Sequence, residues 1–253
     1  MKVLFYPDAG IQHRGHSLSK TIRYFKILGY KITNDINSDW DIGVHWNYKD
    51  INKTPDILLN DSRLVLNKNV NNVTKSYVDK IFTEVFGYSS LADTNKFGYC
   101  VRKSERQSAH DGVITRMPCE KQPGYVYQLF LDNRMSRNMV YDIRIIYMLG
   151  NIYQVVLKGR LVEGTFENTL SKQKKYWIDQ VENWLTKYEI KKIKLFCETF
   201  GLDIGELDGI RDNSTGKLFI IDVNNLPGSG LYNNVKNEKE VELKLAMYLK
   251  SLI

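Results

Sequence analysis

Asp208 lies within one strand-like run, Glu206–Ile210, while Asp222 and Asn224 close a second, which begins at Lys217. Between the runs stands Asp212-Asn213-Ser214-Thr215-Gly216. That connector has the composition of a hairpin turn, so the runs should pair and bring the three side chains together. Asp222 and Asn224 are two apart and share one face of an extended strand. Two carboxylates and an amide make an all-oxygen set, which a hard cation such as Mg²⁺ selects, above all one that also carries phosphates. The run Leu218-Phe219-Ile220-Ile221 predicts a buried strand, and a buried strand ending in Asp-Val-Asn needs a reason for its polar groups. The bland alternative is a surface hairpin with polar ends. Pro227-Gly228-Ser229-Gly230 follows at once and offers backbone N–H groups beside the cluster.

This segment resembles the C-terminal signature of the ATP-grasp superfamily, which carries an acidic residue on one hairpin strand, Glu/Asp-x-Asn on the next and a Pro-Gly loop. The resemblance implies an α/β fold, an α+β clamp that holds ATP between two halves, preceded by a short N-terminal Rossmann-like domain. It implies an ATP- and Mg²⁺-dependent ligase that joins a carboxylate to an amine, or a thiol, through an acylphosphate. D-alanine–D-alanine ligase and the ligases that add glutamate to protein tails are members of this type. On this resemblance Asp208, Asp222 and Asn224 are the metal ligands, with Asp222 replacing the commoner Glu.

Upstream segments extend the resemblance from about Asn71 to Ile253. Asp142-Ile143-Arg144 resembles the family's Asp-x-Arg motif, and Gly150-Asn151 between two apolar runs predicts a hairpin turn. Lys158 and Arg160, two apart on the second arm, are the implied catalytic cations for the γ-phosphate and the developing acylphosphate. A basic edge strand is the alternative for both, and an ion-pairing role for Arg144. The strand Lys96–Lys103 ends in the implied α/β-phosphate ligand Lys103, with Arg102 pointing to the other face. Lys75, which opens a helical pattern ending near Gly87, is the implied second phosphate ligand, with Lys80 as its competitor. The loop after Lys103 departs from the family: Gln107 and His110 stand where glycine is usual and only Gly112 remains, leaving Ser108 as a side-chain donor to phosphate. Across the run Tyr125–Leu131, Gln128, Leu129 and Leu131 are assigned to the adenine edge, largely through the main chain, and Asp132 to the ribose.

The elements that position these residues divide into three parts: residues 1–66, a short N-terminal α/β domain; 67–127, the lid half; and 128–253, the half with the metal site. In the first part KVLFYPD, KITN, DIGVHWNY and PDILLND read as strands and LSKTIRYFKILG as a helix, an alternation that implies a parallel sheet with ligands at its strand ends. His13, Arg14 and His16, on the loop Asp8–Ser17, are candidates to meet the acid or the acceptor, although a solvated loop accounts for them better. Ser171–Gly201 reads as one long helix whose Trp177, Trp184, Tyr188, Phe196 and Phe200 pack as core, with Gly201 as its stop.

Composition fits a soluble, cytoplasmic enzyme: no stretch of the 253 residues is apolar enough for a bilayer and Met1–Gly10 does not read as a signal peptide. Cys100, Cys119 and Cys197 are widely spaced and predict reduced thiols. The net charge of +7 raises a nucleic-acid reading. Against it, the basic residues are spread through helical patterns mixed with carboxylates and aromatics, and a positive field equally attracts ATP and anionic substrates. Two further alternatives stand on the same fold, a phosphotransferase and a clamp without catalysis, the second prompted by the glycine-poor lid. The expected partners are a small-molecule, peptide-linked or glycan-linked carboxylate and an amine, with a homodimer open. Glu167 carries the charge opposite to that of the tail ligases in this region, which argues against the same acidic substrate.

Overall fold

The structure is a computed structural model and describes residues 1–7, 20–46, 49–106, 109–162, 175–225 and 237–253. Ser108, the His13–His16 loop, Glu167 and Pro227–Gly230 lie outside the described residues.

Strands β1 (Lys2–Pro7), β2 (Lys31–Thr33), β3 (Ile42–Trp46) and β4 (Val65–Leu66) form a parallel sheet in the order β2-β1-β3-β4, with helix α1 (Lys20–Ile27) between β1 and β2. Strands covered on both faces read as continuous apolar runs, and Val3, Leu4, Phe5 and all of β3 are buried. Pro55–Asp61, expected as a strand, instead contains the short helix α2 (Asp56–Leu59). The N–H groups of Leu58 and Leu59 both donate to the Pro55 carbonyl. A proline at the entry and an aspartate in the first turn are helix-start signals that outweigh a three-residue apolar run.

Helix α3 (Lys75–Phe86) ends on Gly87 at φ 83°, as its pattern predicts. After it, β5 (Gly98–Ser104), β6 (Val113–Met117) and β7 (Tyr125–Leu129) make a small antiparallel sheet in the order β6-β5-β7.

The largest sheet is antiparallel: β8 (Arg134–Ser136), β9 (Met139–Met148), β10 (Asn151–Leu161), β11 (Lys175–Asp179), β12 (Ile204–Arg211) and β13 (Leu218–Asn224), in the order β11-β10-β9-β12-β13 with β8 beside the start of β9. The β9–β10 turn is Leu149-Gly150, one residue earlier than expected, because Met148 pairs with Asn151. Both turn residues take positive φ, 43° and 83°, as a two-residue hairpin of this hand requires. The long helix expected from Ser171 is also corrected. Lys175–Asp179 is a strand, Trp177 is partly exposed, and helix α4 spans only Lys187–Phe200 before Gly201. Two local devices delay the helix. The Asp179 carboxylate accepts from Gln180 N, Asn183 and the Trp184 indole. Thr186 and Glu189 then form a capping box that starts α4.

Alternation along the large sheet separates two cores. Ile143, Ile145, Tyr147, Val155, Leu157 and Leu207 join the core with α3 and α4. Ile146, Met148, Val156 and Ile204 join the core with β1, β3, α1 and the C-terminal helix α5 (Glu238–Leu252). Farther along this second face, charged residues replace apolar ones, and the face becomes one wall of a cleft. No helix among the described residues is long and apolar enough to cross a membrane, and all three cysteines are free.

Candidate active site

On β12 and β13, Leu207 pairs with Val223 and Asp208 with Asp222, but Gly209 pairs with Ile220, so Ile221 is an extra residue. Such a bulge resets which face the following side chains take. Leu218, Ile220 and Val223 all belong to the core shared with α3 and α4, whereas Asp222 and Asn224 line the cleft beside Asp208. Unbroken alternation from Ile220 would send Asp222 and Asn224 into that core. The bulge thus absorbs Ile221 and lets Ile220 face the core while Asp222 and Asn224 face the cleft.

The three predicted ligands converge. The Asn224 amide lies 3.4 Å from Asp208 Oδ2. Arg144 grips Asp208 through a fork, Nε to Oδ1 at 2.7 Å and NH2 to Oδ2 at 2.9 Å, and its NH1 donates to Glu206 Oε2 at 3.0 Å. Burial pushes Asp208 up, but Arg144 and Lys158 outweigh it and hold the carboxyl below the usual range. Asp222 differs. Burial raises it to about 6 against the pull of Lys75, and the charge of Asp208 adds to the rise. Among the described residues its carboxylate accepts one hydrogen bond, from Val223 N at 3.1 Å. A carboxylate left so poorly compensated beside an ionised one fits a divalent cation, and the donor set is all oxygen. Among the described residues no group of three or more His, Cys, Asp and Glu could hold a metal ion.

The remaining predicted cations line the same cleft: Lys75, Lys103, Lys158 and Arg160. Lys103 Nζ donates to Gln128 Oε1 at 2.9 Å, and the Gln128 amide reaches the carbonyl of Ile221 at 3.3 Å. The small sheet is thus tied to the bulge itself. Lys75 Nζ donates to the Arg106 carbonyl at 2.8 Å. Burial lowers the ammonium of Lys103, and likewise that of Lys158, where Arg144 adds to the effect. Lys158 has no hydrogen bond or ion pair among the described residues, so its charge is available to a ligand. Arg160 is held by Asp142 at 2.7 Å, and Asn133 donates to Asp142 at 3.3 Å. Leu129 and Leu131 line the cleft where the two sheets meet.

Asp132 is not brought in. Its carboxylate is clasped by Arg134 Nε and NH2 at 2.8 and 2.9 Å, and it does not line the cleft. Three participants escape a reading of the sequence: Asn133, which donates to the Asp142 that holds Arg160, and Glu206 and Lys20, which extend the Arg144 network. Glu206 could have been found by its position two residues before Asp208. Lys20 could not, since it meets Glu206 across 186 positions.

Comparison with known proteins follows this geometry. No family model and no curated protein matches the sequence. In structure the chain is similar to the ATP-grasp ligase PsnB complexed with a phosphomimetic variant of its minimal precursor, Mg and ADP, at 12% identity over 99% of this chain and 97% of that one, with a TM-score of 0.60. It is similar to D-alanine–D-alanine ligase from Bacillus anthracis complexed with ATP, at 11% identity over 100% and 95%, TM-score 0.58. It is also similar to the macrocyclase MdnC from Microcystis aeruginosa MRC bound with precursor peptide MdnA, at 11% identity over 98% and 99%, TM-score 0.54. The chain has the fold of the ATP-grasp ligases.

Proposed function

We propose that the protein is an ATP- and Mg²⁺-dependent ligase that joins a carboxylate to an amine. One observation carries the reading: Asp208, Asp222 and Asn224 face the same cleft as Lys75, Lys103, Lys158 and Arg160. Oxygen ligands beside separate cations are what a metal-bound triphosphate needs. The compared structures with ATP, or with Mg and ADP, support the same assignment. Asp208, Asp222 and Asn224 would hold Mg²⁺, which supplies charge neutralisation on the phosphate oxygens. Lys103 and Lys75 meet the α- and β-phosphates, and the 129–131 segment reads the adenine edge through its main chain.

In the reaction a substrate carboxylate oxygen bonds to the γ-phosphorus, the bond to the β-phosphate oxygen breaks, and ADP leaves. Lys158 and Arg160 stabilise the transferring charge, with Asp142 fixing the Arg160 guanidinium. An amine then bonds to the acyl carbon, phosphate leaves with the C–O bond pair, and the amine gives up a proton. The acid is of small-molecule, peptide-linked or glycan-linked class, and two of the compared proteins are bound to precursor peptides. We read the N-terminal parallel sheet as the short Rossmann-like unit and the small and large sheets as the two clamp halves.

Calorimetric titration with ATP, with and without Mg²⁺, followed by product analysis against acids and amines, tests this. The expected result is Mg²⁺-dependent binding, with ADP and phosphate released only when acid and amine are both present. ADP with a stable phosphorylated product would assign a phosphotransferase instead. Absence of ATP binding would overturn the reading.

A further inference from the structure

Behind the candidate metal site runs a chain of alternating charges. Lys20 Nζ lies 2.5 Å from Glu206 Oε1, Glu206 Oε2 lies 3.0 Å from Arg144 NH1, and Arg144 forks onto Asp208. Exposure falls away from the cleft: the side chains of Asp208 and Arg144 are 19% and 16% exposed, those of Glu206 and Lys20 2% and 0%. Lys20 is the first residue of α1 and the one member of the four that lies outside the large sheet. An ion pair this deep is a poor device for stability alone, since two apolar side chains of similar volume do as well or better. Its effect is to be sought in Arg144. With Lys20 present, two cations face two carboxylates, and each Glu206 oxygen has its own partner. Without it, Glu206 is left with the Arg144 guanidinium that Asp208 shares, whereas Asp208 keeps Lys158 and the Asn224 amide beside it, and Glu206, being deeper, exerts the stronger pull.

We propose that Lys20 is a positioning residue for the metal-binding carboxylate, balancing Glu206 so that Arg144 keeps its fork on Asp208. The N-terminal unit thereby contributes to the metal site through a residue that never touches the nucleotide. This inference rests on the magnesium assignment above.

Lys20→Met and the double variant Lys20→Met/Glu206→Gln test it, with ADP binding measured calorimetrically across a Mg²⁺ series and thermal denaturation alongside. Lys20→Met should raise the apparent Mg²⁺ constant about tenfold or more while leaving metal-free ADP binding unchanged, and the double variant should return it to within about threefold of wild type. A purely structural role would lower the melting temperature of both variants and leave the Mg²⁺ constant unmoved, which overturns the proposal. A double variant as impaired as the single one overturns it too. Should Lys20→Met not fold, Lys20→Gln, which removes the charge but keeps a polar group beside Glu206, is read in the same Mg²⁺ series with the same expected rise. If the wild type shows no Mg²⁺-dependent ADP binding, the magnesium assignment fails and this proposal with it. Mg²⁺-dependent binding by the wild type that Lys20→Met leaves unaltered sinks the Lys20 role alone.

Discussion

At the scale of the residue, the two aspartates of the cluster are chemically unlike. Asp208 is kept ionised by Arg144, while Asp222 is pushed by burial from 3.8 to about 6. Protons and metal compete for Asp222, so apparent Mg²⁺ affinity should weaken about tenfold between pH 7 and pH 5. Asp222→Asn should bind Mg²⁺ more weakly but lose this pH dependence, apart from the titration of the nucleotide, which both proteins share. Calorimetry at the two pH values compares them. The sign for stability is the reverse. Between 3.8 and about 6 the folded chain holds a proton that the unfolded chain has released, so metal-free protein should lose stability as pH rises through that window. Denaturant melts at pH 4 and pH 6, flattened in Asp222→Asn, would show it. Arg160 presents a different case. Asp142 occupies part of its guanidinium, and Arg160 lines the cleft. Arg160→Ala should leave ATP affinity within about threefold of wild type yet slow turnover about 100-fold, as loss of a donor to developing charge does. Unaltered turnover would return Arg160 to a structural role.

At the scale of the element, the bulge at Ile221 decides what β13 presents. Deletion of Ile221 should remove the bulge and place Asp222 directly after Ile220, which keeps Asp222 and Asn224 toward the cleft and Val223 toward the core. The deletion variant should therefore still bind Mg²⁺–nucleotide, and the contact it loses is that of the Gln128 amide with the Ile221 carbonyl. A deletion variant that binds no Mg²⁺–nucleotide would show that the backbone kink of the bulge itself shapes the site. The start of α4 is a local matter by comparison. Thr186 accepts from Glu189 N at 3.2 Å and Glu189 reaches back to Thr186 N at 2.9 Å. Thr186→Ala should cost about 1 kcal/mol in denaturant melts and leave the cleft untouched.

At the scale of the molecule, Asn67 joins the parallel sheet to the large one. Fully buried at φ 57°, it accepts from Asp203 N and Ile204 N at 2.8 and 3.0 Å and donates to the carbonyls of Ile204 and Asn225 at 2.9 and 3.3 Å. One side chain thus holds the entry of β12 and the exit of β13, the two strands that carry the metal-type cluster. Asn67→Ala leaves these backbone groups without partners and should destabilise by about 3 kcal/mol, given about 1–3 kcal/mol for each unsatisfied buried group. Chemical denaturation checks it, and a change under about 1 kcal/mol would mean that water replaces the amide.

The sequence by itself determined which residues share a strand face. Asp142 with Arg144, Lys158 with Arg160 and Asp222 with Asn224 are two apart, and that spacing alone sets their common side. It also announced the hairpin turns and the stop at Gly201, because glycine and the turn residues act locally. It misjudged Pro55–Asp61 and Lys175–Thr186, where short apolar runs fit helix and strand about equally and the deciding groups, Pro55, Asp179 and Thr186, act through hydrogen bonds. Tertiary structure alone decided the rest. The pairing register inserted Ile221 and so aimed Asp222 and Asn224 into the cleft, the fold brought Lys75 and Lys103 opposite them, and Lys20 met Glu206 across 186 positions. A residue's neighbours across a sheet depend on how distant segments pack, and local sequence carries no record of that register.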